Sequence, residues 1–248
     1  MRAGGPNGLG AGSQGARRRY AAFALALAAA LAGSPATSGA DQAPAYPMDL
    51  ATPSPAPASR GWISLALLTG STQFDTGLAD YQWNTTPRLG WGVSGLVGRG
   101  RFATGLELWR AGTTQAIGGL SADPEVHATS LELVGEARLV EYRRMRLWVR
   151  GHGGWLRLGY HPDQITIQPP GPVSPITVGL DPVDTWTGGG GLAVRRPFGS
   201  HWSVGLGLDA RRFTIDTAHR SGSQIVYGRE TFGDWSARCE VARTIGHR

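Results

Sequence analysis

From residue 62 onward, apolar side chains recur at every second position, the period of a β-strand with two unlike faces. Eight such runs are legible. The first covers 62–71, with its two faces only weakly distinguished. In the second, Leu89, Trp91, Val93 and Val97 oppose Gly90, Gly92, Ser94 and Gly98. The third sets Phe102, Thr104, Leu106 and Leu108 against Ala103, Gly105, Glu107 and Trp109; the fourth sets Leu131, Leu133, Ala137 and Leu139 against Ser130, Glu132, Glu136 and Arg138. In the fifth, Leu147 and Val149 oppose Trp148, Arg150 and His152, and the phase blurs at Gly153 and Gly154, where a bulge fits. The sixth sets Trp186, Leu192 and Val194 against Thr187, Gly189, Gly191, Ala193 and Arg195. The seventh sets Trp202, Val204, Leu206 and Leu208 against Ser203, Gly205, Gly207, Asp209 and Arg211; the eighth sets Trp235, Ala237, Cys239 and Val241 against Ser236, Arg238, Glu240 and Ala242.

Runs of about ten residues are long for a globular sheet and match a tilted strand that crosses a bilayer. The connections alternate. Tight turns at 98–101, 141–144 and 196–200 join strands 2–3, 4–5 and 6–7, whereas the links 72–86, 111–127, 160–183 and 214–229 are long. With antiparallel neighbours, all short turns fall at one end and all long loops at the other. The expected fold is therefore all-β: an eight-stranded antiparallel up-and-down transmembrane barrel with short periplasmic turns and long extracellular loops. Within the longest link, 164–168 and 175–178 alternate around a Pro-rich centre and suggest a hairpin rising above the membrane.

Alternation alone does not say which face meets lipid. A soluble barrel would carry a charge-dense outer face, but here the polar face is mostly Gly, Ser, Thr and Ala, which suits the crowded interior of an eight-stranded barrel. Its charges balance: Glu107, Glu132, Glu136, Asp209 and Glu240 against Arg138, Arg150, Arg195, Arg211 and Arg238. An unpaired ion in such an interior costs several kcal/mol, so these residues are expected to pair in a luminal network that His152 joins. Trp62, Trp186, Trp202 and Trp235 fall near strand ends and are expected to form the aromatic girdles at the headgroups.

Residues 1–40 read as a cleaved signal peptide: Arg17, Arg18 and Arg19, an apolar stretch of about 13 residues, then small residues up to Ala40. Residues 41–60 are rich in Pro and Ala and read as a periplasmic linker, leaving 61–248 for the barrel. Glycine supplies 38 of the 248 residues, too many for a helical bundle. All 24 basic residues are Arg, and four precede Ala40, so the remainder carries 20 Arg against 18 acids. That near-balance gives no reason to expect a nucleic-acid partner. Cys239 is the only cysteine, which excludes an intrachain disulfide and a Cys-based zinc finger.

On these runs and their turn–loop alternation, the chain resembles the small eight-stranded outer-membrane barrels of Gram-negative cells, the outer-membrane protein A, X and W types. The resemblance rests on architecture over 61–248 and on no diagnostic motif. It implies a cell-outer-membrane location, lipid and lipopolysaccharide as surroundings, the barrel assembly machinery as a partner, and extracellular ligands at the long loops. Members of that family usually end in an aromatic residue that forms part of the assembly signal; this sequence ends at His247 and Arg248. The implied role is non-enzymatic: structural, surface-interacting, or a porin-like passage for small solutes.

Other motifs are weaker. Gly90, Gly92 and Gly95 fit a dinucleotide fingerprint but lie inside a strand pattern rather than between a strand and a helix. Asn84, Thr85 and Thr86 form a sequon in an expected loop. The six histidines make no metal-binding spacing, so no metal, cofactor or catalytic residue is expected. Two alternatives stand beside the leading reading. One is a lipid A-modifying hydrolase or acyltransferase, for which His219, Ser221, Ser223 and Glu230 are the nearest candidates. The other is a soluble secreted ligand-binding barrel.

Overall fold

The computed structural model describes residues 61–117, 120, 123–168, 174–221 and 224–246, with the backbone alone for 219–221. The expected signal peptide (1–40) and linker (41–60) lie outside the described residues. The strands are β1 (Gly61–Phe74), β2 (Arg88–Arg99), β3 (Phe102–Thr114), β4 (Glu125–Tyr142), β5 (Met145–His161), β6 (Gln164–Ile167), β7 (Ile176–Gly179), β8 (Val183–Phe198), β9 (Trp202–Ser221) and β10 (Gln224–Gly246). Eight of them close into a barrel in the order β1-β2-β3-β4-β5-β8-β9-β10, each antiparallel to its neighbours, while β6 and β7 pair as a separate hairpin.

The register fixes the barrel's size. Followed partner by partner around the ring, Ser64 leads through Leu96, Gly105, Val134, His152, Gly189, Arg211 and Asp234 to Phe74, ten residues further along β1. With about 3.3 Å rise per residue and about 4.8 Å between strands, that shear tilts the strands by about 41° and sets a diameter of about 16 Å. Side chains from opposite walls meet in such a ring and fill it.

The alternation resolves as an inside-out arrangement. Leu65, Leu67, Val93, Leu106, Leu131, Leu133, Leu192, Leu206 and Val241 point outward and are exposed, whereas Glu107, Glu132, Glu136, Arg150, Arg195, Asp209, Arg211, Arg238 and Glu240 are buried inside. This is the layout of a bilayer-spanning barrel: backbone groups pair around the ring and an apolar band faces out. Luminal glycines make room for it. A Cβ on Gly205 would sit 2.7 Å from the Glu240 side chain, and one on Gly191 would sit 2.6 Å from Asp209 Oδ1.

The turns gather at one end. Gly100 closes β2–β3 and Gly199 opens the β8–β9 turn, both at positive φ. Between β4 and β5, Arg143 (φ 46°) and Arg144 (φ 69°) are both left-handed. That is the pattern of a two-residue type I′ hairpin, which usually recruits Asn and Gly.

The loop end differs from expectation at 214–229, which is a continuous hairpin rather than a long loop. Thr214 through Ser221 pair with Thr231 back to Gln224, and only 222–223 separate the strands. The alternation that builds the barrel runs on: Phe213 and Ile215 are buried while Ile225 and Tyr227 are exposed. β8 follows β9 only to Thr187–Phe213, and β1 follows β10 only to Phe74–Asp234. Beyond those pairs β9–β10 continues as a two-stranded ribbon. The hairpin expected within 160–183 forms as β6–β7. Residues 72–86 fold in part into a 3-10 helix, Thr76–Tyr81, capped by Asp75 accepting from the Gly77 amide.

Candidate functional site

The lumen is stacked in three layers. At the turn end Trp62, Leu96, Ala103, Val134, Trp148 and Ala193 form an apolar layer, with Trp62 edge-on to Trp148 at 6.4 Å. Trp62 is therefore not part of a girdle. Its strand position points inward, where Gly98 across on β2 leaves the space its indole occupies, and it is 6% exposed.

The middle layer is ionic. Arg150 donates to Glu107 at 2.6 Å and to Asp209 at 3.5 Å, and its Nε lies 2.9 Å from Glu136. Arg195 donates to Glu136 (2.8 Å) and Glu240 (3.1 Å), with its guanidinium 5.5 Å from the Trp148 ring centre. Arg238 donates to Asp209 at 3.0 Å, pairs with Glu107 and lies 5.4 Å over Trp109. Arg211 donates to Asp234 (2.9 Å), Ser130 (2.9 Å) and Glu132 (3.1 Å). His152 has Glu132 2.5 Å from Nδ1 and Asp209 3.6 Å from Nε2. Four arginines and one histidine thus meet six carboxylates, drawn from β3, β4, β5, β8, β9 and β10.

Ten of the eleven residues expected in this network are in it. Arg138 is not: it lies opposite Trp148 at the turn end, beyond the ionic layer, and donates to Glu141 at 2.8 Å, which Arg146 also reaches at 3.1 Å. The sequence reading also missed Asp234. Its signal is present in the sequence, because Asp234 continues the inner face of Ser236, Arg238 and Glu240, one residue before the alternating run that starts at Trp235.

The third layer is apolar, and half of it comes from segments whose sequence reads as loops. Phe74, Leu78, Trp83, Val126, Ala128, Leu156, Leu158, Phe213, Ile215 and Phe232 form one buried cluster at the loop end. The 3-10 helix inserts Leu78 into it, and Tyr81 donates to Glu230 on β10 at 2.5 Å. That bond holds the Tyr81 hydroxyl above the usual tyrosine range, since losing its proton would set two anions together. Thr217 also donates to Glu230, at 3.1 Å. Glu230 is thus engaged in latching the first loop to the ribbon. Ser223 lies outside the described residues, as do the side chains of His219 and Ser221.

On the outer wall, Trp186 (78% exposed) and Trp235 (68%) lie toward the loop end, and Trp202 at the turn end stacks on Phe198 at 6.5 Å. Trp155 pairs with Trp186 across β5–β8 and Trp91 is exposed on β2, two outward aromatics that the girdle expectation omitted. Among the described residues no group of three His, Cys, Asp or Glu side chains is arranged to hold a metal ion.

No family model and no curated protein matches this chain. Solved structures of similar shape include Neisserial surface protein A, at 8% identity and TM-score 0.42 over 74% of this chain and 96% of that one. Others are a major outer membrane protein of Thermus thermophilus (10%, TM-score 0.42, 74% and 99%) and outer membrane protein W of E. coli (14%, TM-score 0.41, 76% and 98%). At such identities and scores these likenesses add nothing to the barrel architecture described above.

Proposed function

We propose that the chain is a non-enzymatic outer-membrane barrel whose lumen is a packed plug and whose work is done at the loop end, by binding an extracellular partner. The observation that carries this reading is the contrast between the two regions. The lumen is closed by two apolar layers around an ion-paired centre, while the ribbon beyond the barrel presents Ile225 (62% exposed) and Tyr227 (78%) to its surroundings. Above its base, where Asp75 and Thr185 bond Gly233 and Thr214, no further strand among the described residues flanks the ribbon, which suits addition of a partner strand. Ile176 and Val178 on the β6–β7 hairpin add a second exposed apolar surface.

The outer-membrane location rests on the outward apolar band, which in water would be an exposed patch far larger than soluble monomers carry. Lipopolysaccharide and the barrel assembly machinery follow from that location as partners. Passage of small solutes is disfavoured by the filled lumen. The enzymatic alternative gains no support from Glu230, which already serves Tyr81 and Thr217.

Two measurements test the proposal. Protein reconstituted in a planar bilayer should give no single-channel steps. Cells displaying the chain should adhere to protein-coated surfaces more than cells displaying Ile225→Asp/Tyr227→Asp. Step conductance, or adhesion that the double variant leaves unchanged, would overturn it.

A further inference from the structure

The outward row Leu108, Leu131, Trp155 and Trp186 runs across β3, β4, β5 and β8 as mutual partners. One outward step toward the loop end, the next row is Arg110, Thr129, Arg157 and Asp184, again mutual partners. The step is about 7 Å along the strands. His127 and His161 lie one and two outward steps higher, opposite Gly159 and Glu125. Arg110, His127, Thr129, Arg157 and His161 line one open groove of about 450 Å³ on the outer wall. That is the space of about fifteen water molecules, enough for a sugar phosphate.

The charge in this groove is poorly matched by the protein. Among the described residues no carboxylate pairs with Arg110. Arg157 reaches Asp184 only at 3.9 Å, with both side chains half exposed, and His127 reaches Glu125 at 3.7 Å. Burial first, and then the nearby Arg110 guanidinium, lower the His127 pKa, so that side chain favours its neutral form and the positive charge of the groove rests on the two arginines. This contrasts with the lumen, where every arginine of the network has two or more carboxylate or hydroxyl partners.

We propose that Arg110, Arg157, Thr129 and the two histidines form a docking site for the phosphorylated headgroup of a lipid in the surrounding leaflet. The height carries the assignment. A lipid whose chains lie against Leu108, Leu131 and Trp155 brings its headgroup to the next row up, where two guanidinium forks can grip a phosphate. A soluble protein partner would have no reason to sit level with the edge of the apolar band. The inference rests on the reading of that band as lipid-facing.

The test uses the full chain in detergent, with lipid binding followed by native mass spectrometry. The probes are bisphosphorylated lipid A, the same lipid with both phosphates removed, and inorganic phosphate. Bisphosphorylated lipid A should bind the unmodified chain at least ten-fold more tightly than its dephosphorylated form. Arg110→Ala/Arg157→Ala should weaken it about twenty-five-fold, taking each guanidinium as worth about five-fold. Arg110→Lys/Arg157→Lys should retain part of the binding. Both sites face outward, and heat-modifiable gel migration verifies that the variants remain folded. Equal binding of the two lipids, or a folded double-alanine variant with undiminished affinity, would overturn the proposal. So would millimolar inorganic phosphate displacing the lipid, which would assign the site to a free anion. Recovery of the chain in the soluble fraction without detergent would instead sink the lipid-facing reading itself.

Discussion

Replacing Arg195 by methionine removes the one cation that joins Glu136 to Glu240. The two carboxylates then fare differently. Glu136 keeps Arg150 Nε at 2.9 Å, but Glu240 loses its ion-pair partner in a site where its side chain is 7% exposed. The ionic layer falls to three arginines and His152 against six carboxylates. Breaking a buried pair from one side costs about 3–5 kcal/mol, because the remaining charge stays desolvated. With a urea slope of about 2 kcal/mol per molar, the unfolding midpoint in lipid vesicles, followed by tryptophan fluorescence, should fall by about 2 M. Adding Glu240→Gln to Arg195→Met removes the stranded charge and should recover at least half of that loss. A single variant within about 1 kcal/mol of the parent would refute the reasoning, as would a double variant no more stable than the single one.

Three further outcomes are expected. Leu133→Arg or Leu206→Arg, each at an outward position of the apolar band, should destabilise the barrel in vesicles by about 2–4 kcal/mol at mid-bilayer depth, measured as the urea midpoint; a change near zero would place those positions in water. Arg143→Asn/Arg144→Gly relieves two left-handed residues and should raise the stability read from the same midpoint by about 1–2 kcal/mol; no gain would mean that the turn is not strained. The Tyr81–Glu230 latch should be intact at neutral pH and be lost as pH rises above the ordinary tyrosine value through the raised Tyr81 one. In an ultraviolet titration Tyr81→Phe should therefore remove one late-titrating phenolate, while Tyr160, raised by burial, persists.

The barrel and its inner face were legible because a period of two is a local signal that depends on little else. Leu131 and Leu133 against Glu132 already contain the decision between outside and inside, once the small residues and balanced charges of the other face are weighed. Where the reading failed, the deciding contact was distant in sequence. Trp62 turns inward because Gly98 lies opposite it on β2, and nothing around Trp62 itself says so. Arg138 lies opposite the inward Trp148 at the turn end, beyond the ionic layer, and bonds Glu141 there, a placement that only the β4–β5 pairing reveals. The cap built from Leu78, Trp83 and Phe232 was illegible for a similar reason. Those residues sit in irregular or end-of-strand segments, and they are brought together by closure of the ring, β1 against β10.

The most direct measurement uses the cysteine the chain already carries. Cys239 is exposed on the outward face of β10, opposite Thr69 of β1 and Leu206 of β9. A nitroxide attached there in vesicle-reconstituted protein should collide readily with oxygen dissolved in the hydrocarbon and rarely with a water-soluble nickel chelate. A nitroxide at Ser236→Cys in a Cys239→Ser background, facing the packed interior, should be shielded from both and strongly immobilised. Free access of the nickel chelate to the label at Cys239 would contradict the inside-out arrangement on which the rest depends.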